Sequence, residues 1–212
     1  MDHELLTLTQ AAEGNPLDFE AWLKLGAALK ERNQLDQAIR ILKPVVRVKS
    51  HDFMAWFTLG EAWERKGYVN GYDPQALDEA ILAYKKAIAI RPRAEKSWFF
   101  LGNSHGRKQE LVAAIHYYRA AIEIKPDYYI AWNNLGIDLW KNGEHQAAVA
   151  TYRHALTINP NGFESWCNLG SAFRQLNDLD SAIHAFGKAS EIRPQAPGPK
   201  KILATLSTLQ NK

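Results

Sequence analysis

Residues 129–162 read YIAWNNLGIDLWKNGEHQAAVATYRHALTINPNG, and the same spaced pattern recurs along most of the chain. The positions that recur are Trp132, Leu135, Gly136, Ala148, Tyr152 and Pro160. Five tryptophans mark the copies, at positions 22, 56, 98, 132 and 166, and their spacings are 34, 42, 34 and 34 residues. A fixed period of this length indicates an array of similar structural modules.

Each copy predicts two helices joined by a short turn. In the first copy, Trp22, Leu25 and Leu29 have the spacing of a helical stripe. A second stripe follows the polar residues 31–34, and its members are Leu35, Ala38, Ile39, Leu42, Val45 and Val46. We expect the recurring glycine and alanine to let the two helices approach closely, with the tryptophan filling the space beside them.

The order Trp-x2-Leu-Gly, then Ala-x3-Phe/Tyr, then Pro, on a 34-residue period, resembles the tetratricopeptide repeat (TPR) family. The resemblance covers about residues 17–196. It implies an all-α fold, a right-handed α-solenoid of helix-turn-helix repeats with additional N- and C-terminal helices. Because a single helix pair cannot bury its apolar faces alone, the pairs are expected to stack side by side.

The period divides the chain into seven segments. We expect an N-terminal capping helix at 1–16, repeats at 17–52, 53–94, 95–128, 129–162 and 163–196, and a C-terminal capping helix at 197–212. The second repeat holds eight extra residues, which we place between its helices, within about 67–77. Its Tyr68 and Tyr72 are expected either to pack on a neighbouring repeat or to contact a partner. The closing helix has an apolar stripe, made of Ile202, Leu203, Leu206 and Leu209.

Composition excludes several classes of protein. With 46% hydrophobic and 23% charged residues in 212, the chain is not expected to be disordered. A net charge of +3 is too small for a mainly electrostatic nucleic-acid binder unless the charge is gathered on one face. The single cysteine, Cys167, excludes an internal disulfide framework. No signal peptide and no membrane-length apolar run is recognisable, so we expect a cytoplasmic protein without a membrane partner.

Neither catalysis nor metal binding finds support in the sequence. The seven histidines include no pair at the i, i+4 spacing of a helical zinc site, and the nucleotide-binding and hydrolase glycine motifs are absent. We therefore expect no catalytic residue, no metal and no cofactor, and a protein that is not an enzyme. His105 occupies the place of Leu29, Trp63, Leu139 and Phe173 in the other repeats, which predicts a histidine in the core.

The resemblance also implies that the first helix of each pair lines a concave groove. The lining positions lie two residues before the periodic tryptophan and one, two, five, eight and nine residues after it. In the first two repeats this rule selects, among others, Lys30, Thr58 and Glu64. In repeats three to five it supplies the candidate peptide-binding residues, which are Lys96, Phe99, Phe100, Asn103, Arg107, Asn133, Asn134, Ile137, Trp140, Lys141, Asn168 and Arg174.

The chemistry of these candidates favours an extended polypeptide. An asparagine amide both donates and accepts hydrogen bonds, so it can pair with a peptide main chain, and Asn134 and Asn168 resemble the asparagine ladder of peptide-binding TPR proteins. The excess of Lys and Arg favours an acidic segment or a terminal carboxylate. Trp140 is not one of the periodic tryptophans and is a candidate anchor. The carboxylate clamp of chaperone-binding relatives is a poorer comparison, because its Lys, Lys and Arg places hold Phe99, Glu164 and Asn168.

We therefore predict a non-catalytic scaffold or adaptor that binds a protein or peptide, and no nucleic acid. Two alternatives remain open at this stage. The chain could assemble into a homo-oligomer through its convex face or its closing helix. It could also be the substrate-selecting TPR part of a larger enzyme, such as a glycosyltransferase.

Overall fold

The amphipathic stripes of the sequence correspond to helices throughout. The structure, a computed structural model, describes residues 3–69 and 71–210, with side chains described up to residue 206; Asn70 of the insertion and Leu209 of the closing stripe lie outside that description. Within the described residues the chain forms twelve α-helices and no strand. The all-α architecture of successive helix pairs is therefore confirmed.

The helices divide into two units, at residues 1–110 and 111–212, and the division falls inside the predicted third repeat. The helices of the N-terminal unit are α1 (His3–Gly14), α2 (Phe19–Glu31), α3 (Leu35–Val48), α4 (Phe53–Val69), α5 (Pro74–Ile90) and α6 (Glu95–Arg107). Each helix packs against the next, and the first helices of successive pairs, α2, α4 and α6, also contact one another in order.

The C-terminal unit repeats this arrangement. Its helices are α7 (Leu111–Ile124), α8 (Tyr129–Lys141), α9 (His145–Ile158), α10 (Phe163–Gln175), α11 (Leu179–Ile192) and α12 (Pro197–Gln210). Successive helices pack together, and α8 contacts α10. The last helix, α12, packs on α11; its Leu206 is only 2% exposed, and Ile202 and Leu203 are half-buried.

The recurring glycine lets the two helices of a pair approach, but the tryptophan does not occupy the space beside it. A Cβ atom at Gly60 would lie 2.7 Å from the Tyr84 ring, and one at Gly136 would lie 2.5 Å from the Tyr152 ring. Leu42 and Phe186 occupy the same place in the first and fifth repeats. The large residue four positions after the recurring alanine therefore packs on the glycine, and our expectation for the tryptophan was wrong on this point.

The periodic tryptophans instead connect the start of each first helix to the segment before it. All five are half-buried. Each indole N–H donates to the backbone carbonyl six residues earlier, at Pro16, Ser50, Pro92, Pro126 and Pro160, over 2.7–3.3 Å. Because this contact recurs in every repeat, the periodic tryptophans have a packing role.

The turn inside each ordinary pair also recurs. The middle one of its three residues has a positive φ, about +60° at Asn33, Gln109 and Asn177 and +86° at Gly143. This left-handed conformation is easiest for glycine and next easiest for asparagine. It ends the first helix and lets the second begin two residues later.

The eight-residue insertion of the second repeat is mostly helical, whereas we expected a loop. Both α4 and α5 have 17 residues, compared with 13 in α8 and 14 in α9. The two helices lengthen together because Gly67 packs on Leu77, and because Asp73 caps α5 by accepting from the N–H groups of Gln75 and Ala76. Tyr72 remains 61% exposed at the tip.

Candidate functional site

A pocket in the C-terminal unit is lined by several of the predicted binding residues. Its volume is about 170 Å³, and its walls are Ile137, Trp140, Lys141, Tyr152, Asn168, Ser171, Ala172 and Gln175. We call this the C-terminal pocket. Four of the twelve candidates lie around it, because positions five, eight and nine of one first helix face position two of the next. The periodic tryptophans do not line it.

Trp140 is positioned by contacts with the start of α9 and with the following repeat. Its ring centroid lies 4.2 Å from that of His145, and its indole N–H donates to Gln175 Oε1 over 3.1 Å. The ring is half-buried, so part of its surface is open to a ligand. Trp140 is therefore held in place without being enclosed in the core.

The asparagines of this face have unequal roles. Asn133 is only 8% exposed, and its Oδ1 lies 2.8 Å from Ser165 Oγ and 3.1 Å from Asn168 Nδ2. Ser165 has one hydroxyl hydrogen, which it donates to Asn133, and its oxygen accepts from the Tyr129 hydroxyl at 2.9 Å. Asn133 thus joins α8 to α10 and is not an open groove residue as expected. Asn168 is half-buried, and its Oδ1 accepts no hydrogen bond from the described residues.

The charges of the C-terminal face are mainly positive at its surface. Lys141 is exposed and its Nζ lies 3.3 Å from Oδ1 of the buried Asp138. Burial raises the pKa of the Asp138 carboxyl, and the Lys141 charge partly opposes that shift. Arg174 is exposed and forms no ion pair with any residue that the structure describes. Both cations can therefore meet an acidic ligand.

The candidates of the N-terminal unit are more deeply built into the fold. Phe99 is only 6% exposed, so it is not on an open face. Phe100 is half-buried, with its ring stacked on Tyr84 at 5.8 Å and edge-on to Phe57 at 5.7 Å. Asn103 is also half-buried, while Lys96 is exposed. The apolar and amide candidates on α6, Phe99, Phe100 and Asn103, are therefore all buried or half-buried.

Arg107 has two partners within the N-terminal unit. Its guanidinium carbon lies 3.9 Å from the centroid of the Tyr68 ring, and its Nε lies 3.9 Å from Glu64 Oε1. Such cation–π stacking is favourable and holds the side chain in one orientation. Tyr68 of the insertion therefore packs within the chain, and a ligand of Arg107 would share it with these groups.

The structure also buries polar and charged residues that we placed on the groove in the first two repeats. Lys30, Thr58 and Glu64 are all buried. Lys30 Nζ lies 2.6 Å from Glu61 Oε2, which pairs α2 with α4. His105, the predicted core histidine, is confirmed as buried, and its ring nitrogen Nδ1 lies 2.5 Å from Glu110 Oε2.

Glu64 is a carboxyl whose titration is strongly altered by burial. Its carboxylate accepts a hydrogen bond from the Tyr84 hydroxyl over 3.0 Å and is 4% exposed. Burial raises the pKa of Glu64 to about 7, although the Tyr84 hydrogen bond and the Arg107 charge act in the opposite direction. Because a buried charge is unfavourable, the folded protein binds this proton more tightly than the unfolded chain does.

We expect this carboxyl to make the free energy of unfolding fall as the pH rises. Between its ordinary pKa of 4.5 and about 7, the folded state holds the proton and the unfolded state has released it, so the loss is complete above pH 7. Glu64→Gln keeps an acceptor for Tyr84 and removes the titration. Relative to this variant, wild type should lose about 2–3 kcal/mol between pH 5 and pH 8, measured by urea unfolding. A constant difference across that range would contradict the assignment, and Tyr84→Phe should move the loss to higher pH.

The residues that the structure describes contain no group of three His, Cys, Asp or Glu side chains able to hold a metal ion. Nor does any helix in this part of the chain combine the length and apolar character required to cross a membrane.

Comparison with known proteins identifies the repeats. Three family models, each described as Tetratricopeptide repeat, match the chain: one at residues 7–40, one at 28–95 and 75–129, and one at 127–195. Together these matches run without a gap from residue 7 to residue 195. Among curated proteins, none matches this chain significantly.

Several solved structures are similar over most of the chain. A crystal structure of MamA has a TM-score of 0.73 at 24% identity and covers 81% of this chain and 95% of its own. YrrB, described as a TPR protein with an unusual peptide-binding site, has a TM-score of 0.71 at 18% identity, with 92% and 96% covered. A chain of the APC/C hetero-tetramer Cut9–Hcn1 reaches 0.72 at 20% identity, with 99% and 40% covered. At these identities the similarity establishes the fold, an α-solenoid of helix pairs.

Proposed function

This chain belongs to the tetratricopeptide repeat family, and on that premise we propose that it is a non-catalytic scaffold that binds a segment of a partner protein. The segment lies in extended form against the first helices of the fourth and fifth repeats, at the C-terminal pocket. The observation that carries the proposal is that Ile137, Trp140, Lys141 and Asn168 line one pocket, although none of them is a periodic residue of the repeat.

Each of these residues has a distinct part in binding. Asn168 has an unengaged carbonyl oxygen, which accepts an N–H group from the main chain of the segment. Trp140 and Ile137 provide apolar contact for a side chain, and an aromatic residue in a pocket is a common centre of binding energy. Asn134 and Asn103 are half-buried on the same kind of helix face and extend the set of amides, each within its own unit.

Charge determines which segments are favoured. Lys141 and Arg174 are exposed on the C-terminal face, so an acidic segment or a terminal carboxylate is preferred. The peptide-binding site of YrrB, a protein of the same fold, supports a peptide ligand for this chain. The cytoplasm is the compartment we propose for this interaction.

Affinity capture with a charge-matched pair of variants tests this function. Wild type, Lys141→Glu/Arg174→Glu and Lys200→Glu/Lys201→Glu are used as baits, and retained proteins are identified by mass spectrometry. Both variants reverse two exposed lysine or arginine charges in the C-terminal unit, but only the first pair lies on the binding face. We expect the partner to be retained by the control and reduced about tenfold or more by the first variant. Equal retention by all three baits would contradict the site.

A further inference from the structure

Another pocket, larger than the C-terminal pocket, lies in the N-terminal unit, where α4 and α6 begin and α5 ends. Its volume is about 610 Å³. We call it the N-terminal pocket, and the residues that define it are Phe53, Met54, Phe57, Arg91, Arg93 and Lys96. Lys96 is one of the candidate peptide-binding residues predicted from the sequence, and the same groove rule selects Met54 and Phe57 in the second repeat. None of the six lines the C-terminal pocket.

The floor of the N-terminal pocket is aromatic and apolar. The rings of Phe53 and Phe57 are stacked, with centroids 5.6 Å apart and planes 15° from parallel. Met54 lies beside them and is 48% exposed. A flexible thioether next to two phenyl rings adapts readily to different apolar side chains. The floor therefore suits one large aliphatic or aromatic side chain.

At the equivalent junction in the C-terminal unit, between the fourth and fifth repeats, a tyrosine fills the corresponding space. The absence of that contact leaves the N-terminal pocket open. There the Tyr129 hydroxyl reaches Ser165, and its ring packs so tightly on Gly162 that a Cβ atom would lie 2.2 Å from the hydroxyl oxygen. By repeat register, Tyr129 corresponds to Phe53 and Gly162 to Ala94. With no hydroxyl on Phe53 and with a methyl group at Ala94, that tight contact is not formed.

The polar link that closes the other junction is also missing here. Ser97 corresponds to Ser165, and Phe57 to Asn133. The Ser97 hydroxyl is fully buried and has no hydrogen-bond partner among the described residues, whereas Ser165 bonds to Asn133. The junction between the second and third repeats therefore has an apolar floor where the junction between the fourth and fifth repeats has a hydrogen-bonded contact.

The rim of the N-terminal pocket is positively charged. Arg91, Arg93 and Lys96 are exposed on it, against one acidic residue, Glu95. The Arg91 guanidinium lies over the Phe53 ring at 4.6 Å, and none of the three cations forms an ion pair with a described residue. Three unpaired cations around an apolar floor call for a ligand that brings more than one carboxylate.

We propose that the N-terminal pocket binds an acidic protein segment in which a large apolar side chain is flanked by aspartate or glutamate residues. The apolar side chain lies on Phe53, Met54 and Phe57, and the flanking carboxylates face Arg93, Lys96 and Arg91. This inference extends the proposed function, because it adds a second contact in the other unit and defines the composition of the segment it accepts.

A blocked synthetic peptide tests the inference directly. The probe is GDEFDEG with a dye coupled to its N-terminal amine and an amidated C-terminus, and its binding is followed by fluorescence anisotropy at low salt. We expect a Kd below about 1 mM for wild type, at least about tenfold weaker binding by Arg93→Glu/Lys96→Glu, and weaker binding at high salt. The matched control, Arg47→Glu/Lys86→Glu, reverses two exposed charges elsewhere in the same unit and should bind like wild type.

Three comparison peptides determine the chemistry of the ligand. GNQFNQG lacks the charges, GDEGDEG lacks the apolar side chain, and GNQGF with a free carboxylate has only a charged end. Weaker binding of all three than of GDEFDEG supports the proposal. It is overturned if wild type does not bind the probe up to about 1 mM, if the control variant loses as much affinity as the rim variant, or if GNQGF binds best. These outcomes do not depend on the C-terminal pocket, so the two proposals fail separately.

Discussion

Replacing Tyr84 by alanine is expected to lower the free energy of unfolding by about 3–5 kcal/mol, the usual cost of removing a large core side chain. Tyr84 is fully buried. Its ring fills the space above Gly60 and stacks on Phe100 at 5.8 Å, and its hydroxyl donates to Glu64. The alanine variant would therefore lose ring packing and leave a buried carboxyl without its donor.

Urea or guanidinium unfolding measures this effect, and two variants separate its causes. Tyr84→Phe keeps the ring and removes the hydroxyl, so it should cost about 1–3 kcal/mol. Tyr72→Ala removes a tyrosine of the same unit that is 61% exposed, and should change the free energy by less than about 0.5 kcal/mol. If Tyr84→Ala cost no more than Tyr72→Ala, the packing of the recurring glycine on the large residue would not be what holds the pair together.

The second large effect is expected at Trp140. Trp140→Ala should weaken binding of the captured partner by about 30-fold or more, because aromatic residues in a pocket carry about 2 kcal/mol or more of binding energy. Isothermal titration calorimetry with the purified partner measures the change. The substitution also removes the hydrogen bond to Gln175 and the contact with His145. Its effect must therefore be separated from a local change of structure.

Gln175→Ala is the matched control for this prediction. It deletes the acceptor of the Trp140 hydrogen bond and leaves the indole ring in the pocket. We expect it to weaken binding by about fivefold or less, the scale of one exposed hydrogen bond. An effect of Gln175→Ala equal to that of Trp140→Ala would assign the role of Trp140 to the hydrogen bond and not to the ring. Unchanged affinity of Trp140→Ala would exclude it as an anchor.

The repeat period predicts most of the fold because a periodic residue has the same packing task in different copies. Gly60 and Gly136 each lie against the large residue of the second helix, and the spacing alone locates both. The insertion was harder to predict, because turn-forming residues such as Gly67 and Asp73 are also compatible with two longer helices. Only the packing of Gly67 on Leu77 decides between them.

The binding face was predicted less completely, because burial there depends on the neighbouring repeat. Asn133 and Asn168 come from the same kind of helix, yet Asn133 is buried since Ser165 and Asn168 reach it from the next one. Glu64 likewise lies beneath Tyr84 and Arg107, residues distant in the sequence. The N-terminal pocket results from a difference between repeats: Phe53 and Ala94 stand where Tyr129 and Gly162 stand in the other unit. A search for residues that the repeats share does not detect such a difference.

The central claim is that the periodic aromatic residues hold the repeats together while Trp140 meets the ligand, and fluorine NMR tests it most directly. Protein labelled with 5-fluorotryptophan has seven signals, one for each tryptophan. The signal that is missing from the spectrum of Trp140→Phe is assigned to Trp140. Adding the purified partner should shift the Trp140 signal in a saturable way and leave those of the five periodic tryptophans in place. A partner that binds to saturation while the Trp140 signal stays unchanged would contradict the account.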